Sequence, residues 1–439
     1  KEKMGACRDK LIAFLCTTDG DAMKAHTHRH WHGLRIDPVH IEFLETLPPS
    51  VFQKARPVPA HLLPKIKELI GKLTDQGYLQ YSMYGNYASP TLYVLKSDGV
   101  SLRMCNDLRR INQYIKYSPV PQPHIHASLQ MLHGFKLFAE LDWSTAYHQI
   151  PLDDETSNRL AMNTPIGIYK PRFCPEGVKV GSALMMGVVY AIFSKFGEWL
   201  IPIHDNLLIA AHDPEDLFDK VKMVYKECAE VGVQLNILKC QFGVEKLAFF
   251  GYIVEPGLYY VDKERLDDIR NIPFPKSKKA VQKYLGMAVF CSPFIPHFVD
   301  AFAKIYEMST DSFSFSPGDW GDTDYVEEFS KSKDYLKRSA AVHFPDRSLE
   351  WVLRTDASQV AIGGVLLQMM KLEDLSKEQQ EQARAENLVR EDNTVAAPIA
   401  FISKKFTDPA TRWTVTEQEL FAIIHCLKKT EHIISTKRI

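Results

Sequence analysis

Leu141-Asp-Trp-Ser-Thr-Ala-Tyr-His-Gln-Ile-Pro-Leu152 begins where a strand-like run, Lys136 to Leu141, ends, and so sets Asp142 at a strand terminus. A second carboxylate, Asp205, interrupts two apolar arms, Leu200 to Ala211, within Ile203-His204-Asp205-Asn206. A carboxylate among buried neighbours is costly unless it is paired or bound to metal. If the two strands are adjacent, Asp142 and Asp205 can share divalent cations. Two Mg2+ ions roughly 3.5–4 Å apart bring the attacking and leaving oxygens of a phosphoryl transfer into line. Spacing alone fits equally well a strand end and a hairpin turn with no chemistry.

Upstream, Leu62, Ile66, Ile70, Leu73 and Leu79 fall at helical spacing, with Gly77 near the end. The runs Ala88 to Lys96 and Leu102 to Asp107 flank Ser97-Asp98-Gly99, which is hairpin chemistry because Asp-Gly supplies positive-φ positions. Downstream, Ser182 to Gly197 reads as a helix. Asp213 to Val231 is another, with Asp213 as N-cap and Pro214 at the first helical position. A short strand pair runs through Phe249 to Val254, and residues 256–345 read as mainly helical, with a charged helix over Asp324 to Ala341. The texture then changes to strands over Leu349 to Asp356, Ala361 to Met370 and Ala397 to Ser403, a charged insertion over 371–394 and a helix over Thr416 to Lys429. Helices packed on antiparallel sheets, an α+β class, are the simplest arrangement.

The whole chain has 439 residues, 45% hydrophobic and 24% charged, with a formal net charge of -1. That composition is that of an ordinary globular protein of about two to four domains. Near-neutral charge excludes a strongly basic molecule, so nucleic-acid binding must come from local patches. Eight scattered cysteines without a Cys-x-x-Cys pair read as reduced, intracellular thiols. The longest apolar stretch, Val180 to Phe193, lies between lysines and reads as a core helix, so no membrane partner is expected. His26, His28, His30 and His32 alternate along one strand face, but lack mixed ligands nearby, and are read as an exposed polar segment.

The segment 141–152 closely resembles the first metal-binding motif of gypsy-like long-terminal-repeat (LTR) retroelement reverse transcriptases, LDLxxGYHQI. Tyr87-Ala-Ser-Pro90, Val94 to Gly99 and Leu102 to Asn112 are similar to that family's fingers segment. Leu238-Lys239-Cys-Gln-Phe242 resembles its KCxF motif, Phe249-Phe-Gly-Tyr252 its primer-grip turn, and Pro275 to Phe298 its thumb. Arg354-Thr-Asp356-Ala-Ser358, Gly363-Gly364 and Glu417-Gln-Glu419-Leu420 resemble the opening of the tethered ribonuclease H domain. The resemblance runs in order over about residues 55–430.

It implies a right-hand fingers, palm and thumb polymerase fold followed by a partial ribonuclease H-like α/β domain. The expected layout is an N-terminal extension at 1–50, fingers and palm at 51–255, thumb and connection at 256–345, and a partial ribonuclease H-like domain at 346–439. It further implies Mg2+ (or Mn2+) on Asp142 and Asp205, beside Asn206, and nucleotide contacts from Lys96, Arg103, Tyr147, Glu176, Gly177 and Lys239, with Tyr147 as steric gate. Phe250, Gly251 and Tyr252 are the implied primer grip, and Asp356 and Glu419 the ribonuclease H-like carboxylates. The implied partners are an RNA or DNA template with primer and deoxynucleoside triphosphates. Lys96 and Arg103 suit a triphosphate because an ammonium and a guanidinium fork on a hairpin can close over phosphates. With Arg109, Arg110, Lys239, Lys276, Lys278 and Lys279, Arg103 is also expected to grip nucleic acid.

Three departures temper these expectations. The usual (Tyr/Phe)-x-Asp-Asp stands here as Ile203-His-Asp-Asn206, which loses an aromatic and a carboxylate. The nucleotide-pocket segment reads Cys174-Pro-Glu176-Gly177, an unusual setting for a triphosphate, and the residues present lack a third ribonuclease H carboxylate, so RNA cleavage is not expected of them. The expected function is RNA-directed DNA polymerisation. The alternative is a catalytically inactive, domesticated scaffold subunit that docks other proteins of a larger complex.

Overall fold

Alternating and continuous apolar runs become sheets in the computed structural model, which describes residues 14, 33–95, 99, 101–121, 124–315, 323–407 and 409–434. The histidine tract at 26–32 and Lys96 lie outside the described residues. The chain divides into two units, residues 1–124 with 137–244, and residues 125–136 with 245–439.

At the heart of the first unit is a four-stranded antiparallel sheet in the order Gln241–Val244, Leu137–Asp142, Asn206–Ala211, Leu200–Ile203. Leu137, Ala139 and Leu141 share a core with Leu207, Ile209 and Ala211, closed by Met185 and Val189 of helix Gly181–Phe193 and by Leu217, Val221 and Val224 of helix Pro214–Val231. Each fully buried aliphatic side chain there contributes roughly 1.5–3 kcal/mol. Asp213 caps the second helix by accepting from the amides of Glu215 and Asp216, and Gly232 ends it at φ 83°, the left-handed conformation that favours glycine. A further sheet is built around Tyr87–Leu95, which pairs antiparallel with Leu102–Asn106 and parallel with Val51–Phe52 and Met162–Thr164. Helix Leu63–Asp75 packs here through Ile66 and Ile70.

The second unit carries two sheets. Leu247–Phe249, Tyr252–Glu255, Leu258–Val261 and Val342–His343 form one, and Trp351–Ala357, Ala361–Lys371 and Thr394–Lys405 form the other. Between the strands Leu258–Val261 and Val342–His343 in sequence lie helices Lys263–Arg270, Lys278–Val289, Phe298–Glu307 and Thr323–Leu336. Helix Val415–Ile434 buries Ile433 and Ile434 with Trp351, Leu366 and Ile399. Residues 125–136 belong to this unit because His126 sits among the rings of Tyr252, Tyr259 and Phe294.

The structure adds elements to the expected mainly helical 256–345, namely the strands Leu258–Val261 and Val342–His343. The charged insertion contains helix Lys377–Ala385, started by a capping box between Ser376 and Gln379. Among the described residues no helix is long and apolar enough to cross a membrane.

Candidate active site

Strand pairing sets the geometry. Asp142 lies directly opposite Asn206, and Glu140 opposite both Leu208 and Gln241. Side chains alternate across a strand, so Glu140 and Asp142 leave the same face. Asp205 stands in the two-residue turn between Ile203 and Asn206, where His204 takes φ 51°. The Asp205 carbonyl accepts from the Trp143 amide at 2.9 Å, which ties the turn to the residue after Asp142. Asn236 donates its amide to the Asp142 carbonyl at 2.7 Å, and the Asp142 amide donates to Cys240 Sγ at 3.4 Å.

The electrostatics reflect crowded negative charge. Burial, and then the Asp205 carboxylate, raise the Asp142 pKa, while Lys239, with Nζ 4.0 Å from Asp142 Oδ1, opposes the rise. Glu140 is pushed up to about 7 by burial and by Asp142, with a smaller contribution from Asp205. Gln241 Nε2 donates to its Oε2 at 3.3 Å. Two carboxylates that repel one another while partly removed from water are a donor set suited to a divalent cation. No group of three metal-ligating side chains assembles among the described residues, so the candidate metal residues remain the pair Asp142 and Asp205.

Next to this pair runs the short helix Ala146–Gln149, entered through Thr145 at φ 46°. It carries Tyr147 and His148. The Tyr147 ring packs where Gly181 begins its helix, a Cβ on Gly181 falling 3.4 Å from Tyr147 Cε1. His148 is held neutral by burial, its pKa down to about 4.

An open cleft of about 930 Å³ is lined by Leu102, Arg103, Asn106, Thr145, His148, Glu176 and Gly177, among others. Arg103 points from strand Leu102–Asn106 and pairs with the Glu176 carboxylate. The loop bearing Glu176 is fixed by Asn112, whose Nδ2 donates to the Gly177 carbonyl at 2.9 Å and whose Oδ1 accepts from the Lys179 amide at 3.0 Å. Gly177 takes φ 89°, so the bend there favours glycine. Arg109 is engaged by the buried Asp107 through two hydrogen bonds of 2.7 Å, and Arg56 pairs with the same carboxylate.

The structure thus brings together Asp142, Asp205, Asn206 and Lys239 at one end of the two central strands of the sheet, and Arg103, Glu176 and Gly177 in one cleft. Sequence reading missed Glu140 and Asn112. Glu140 was accessible from strand alternation, two residues before Asp142, whereas the Asn112 clamp spans more than 60 positions and leaves no local signal.

In the second unit, Phe250 and Gly251 form the tight turn between Phe249 and Tyr252, both at positive φ, 49° and 81°. Tyr252 itself is buried and stacks on Phe290 at 4.4 Å, so its ring supports the turn from beneath rather than facing outward. Asp356 pairs with Gly363 in the three-stranded sheet and lines a cavity of about 130 Å³ with His297, Arg354 and Gly364. Glu419 stands in the first turns of helix Val415–Ile434.

Residues 94–254 match the family model described as reverse transcriptase (RNA-dependent DNA polymerase). Residues 346–439 match that of the RNase H-like domain found in reverse transcriptase. The chain is 24% identical over 381 residues to the transposon Tf2-7 polyprotein of Schizosaccharomyces pombe, covering 87% of this chain and 27% of that protein. It is 25% identical over 378 residues to the Pol polyprotein from transposon 297 of Drosophila melanogaster, covering 84% and 33%. The chain therefore spans about a quarter to a third of the length of these relatives. Among solved structures, a foamy viral protease-reverse transcriptase in complex with an RNA/DNA hybrid superposes with a TM-score of 0.74 at 19% identity, over 98% of this chain and 54% of that one. A form of that enzyme in complex with double-stranded DNA gives 0.73 at 19% identity, over 91% and 65%. These likenesses show the fold.

Proposed function

We propose, for a chain that belongs to the LTR-retroelement reverse transcriptases and carries their ribonuclease H-like domain, that it extends a primer on an RNA or DNA template with deoxynucleoside triphosphates. The observation that carries the reading is that Asp142 ends one strand while Asp205 stands in the turn that leads into the strand paired with it, with the Arg103 cleft in the same unit. Foamy viral relatives held on double-stranded DNA and on an RNA/DNA hybrid support the same class of ligand here.

Asp142 and Asp205 would hold Mg2+ or Mn2+, which supplies charge neutralisation for phosphoryl transfer when bound. Arg103 would bind the triphosphate through its guanidinium fork. Tyr147 would lie against the sugar and exclude a 2′-hydroxyl, held in place by its packing on Gly181. Lys239 would balance the charge of Asp142 until a phosphate arrives. Phe250 and Gly251 would present the primer-grip turn, and Asp356 with Glu419 would be the carboxylates of the ribonuclease H-like part.

Two observations favour a second reading, a scaffold without catalysis: Asn206 stands where a second carboxylate is expected, and Arg103 is already paired with Glu176. Primer extension decides between them. The enzyme reading expects Mg2+-dependent extension that Asp142→Asn and Asp205→Asn each abolish. No extension on any RNA or DNA template would give the scaffold reading the field.

A further inference from the structure

The cleft that holds Arg103 has an unexpected charge balance. Among its described lining residues Arg103 is the one Arg or Lys and Glu176 the one carboxylate, and the two are paired. His148, which also lines the cleft, is kept neutral by burial and adds no compensating charge. While the pair is closed, the described lining of the cleft offers an incoming anion no uncommitted cation.

Glu176 is not a wandering surface side chain. Its loop is anchored on one side by buried Cys174, whose amide donates to the Ile150 carbonyl at 2.9 Å, and on the other by the Asn112 clamp on Gly177 and Lys179. The carboxylate is therefore presented from a fixed backbone. The pair itself is breakable, since both side chains are about half exposed, 56% and 49%, and exposed ion pairs are weak.

We propose that Glu176 is a specificity-determining competitor for Arg103: a ligand enters the cleft only by displacing a carboxylate, which selects polyphosphates over singly charged anions. The inference rests on the reading that this cleft takes nucleoside triphosphates. Glu176 acts in two ways, by withholding the guanidinium and by placing a like charge beside the phosphates. Withholding Arg103 is the larger effect, because among the described lining residues Arg103 alone can offer the phosphates a fork of donors.

The test is equilibrium binding of dTTP, with Mg2+, to the full chain carrying a dideoxy-terminated primer on an oligo(rA) template, together with KM and kcat for single additions. Glu176→Gln is expected to tighten dTTP binding and lower KM by about three- to tenfold while kcat changes less than about twofold. The gain should shrink as salt rises, because the competing pair is solvent-exposed. In an Arg103→Gln background the same substitution should give little gain. Unchanged or weaker binding by Glu176→Gln, with dTTP still bound by the natural sequence, would overturn the competitor role and leave the polymerase reading standing. So would an undiminished gain in the Arg103→Gln background, which would mean plain repulsion. If no form binds dTTP or extends primer, the polymerase reading falls and the competitor role falls with it.

Discussion

Asp142 faces Asn206 directly across two antiparallel strands, with Asp205 one residue before Asn206 in the connecting turn. The family motif would place a carboxylate at Asn206, so this pairing decides how much negative charge this end of the sheet carries. Asn206→Asp would set two like charges opposite one another, which costs a sheet about 0.2–1 kcal/mol. In metal-free buffer its denaturation midpoint should fall by that order, and Mg2+ should restore it. Primer extension by Asn206→Asp should rise several-fold over the natural sequence at limiting Mg2+, as measured by initial rates.

Glu140 gives a second prediction, on the pH dependence of stability. Its folded pKa of about 7 lies above its ordinary 4.5, so its contribution is intact below pH 4.5 and is lost as pH rises through 7. Glu140→Gln should therefore stabilise the metal-free protein at pH 8, by about 1–2 kcal/mol once partial exposure is allowed for, and change little at pH 4.5. Urea midpoints at the two pH values test the sign.

His343 predicts the opposite slope. Burial holds it neutral with a pKa of about 4 against an ordinary 6.5. The unfolded chain binds a proton that the folded chain refuses, so stability falls as pH drops from 6.5 towards 4, by roughly 2–3 kcal/mol from this residue. Unfolding of the natural sequence followed between pH 7 and 4.5 should show the loss, and His343→Gln should flatten it.

Packing in the ribonuclease H-like sheet is tight enough to read out by substitution. A Cβ on Gly364 would lie 2.4 Å from Cys426 Sγ and 3.4 Å from the Arg354 carbonyl, with Cys426 fully buried. Gly364→Ala should cost about 1–3 kcal/mol by overpacking. Adding Cys426→Ala should recover part of that cost, giving a double-mutant interaction of stabilising sign. Additive losses would show that the methyl meets some other obstacle.

Much of this architecture was legible locally. Apolar runs located three strands of the four-stranded sheet, and the Asp213-Pro214 start its long helix, because those signals act within a few residues, while Gln241–Val244 was not read as a strand. Val342–His343 escaped notice because it is two residues long and pairs with a strand far away, His343 with Leu258, and Leu258–Val261, though it closes a hairpin on Tyr252–Glu255, because it is only four residues long. The helix Lys377–Ala385 escaped because a charged composition masks its capping box. In the candidate site, the order of Asp142 and Asp205 was legible, but the Arg103–Glu176 pair joins residues 73 positions apart and exists only in the folded chain.

The central claim is that Asp142 and Asp205 act together on divalent cations, and the most direct measurement is Mn2+ binding in the presence of primer, template and nucleotide, read by electron paramagnetic resonance. Tightly bound Mn2+ is expected that Mg2+ displaces, and that Asp142→Asn and Asp205→Asn each remove, with both variants still folded by circular dichroism. Binding that survives either substitution unchanged, or its absence from the natural sequence, would contradict it.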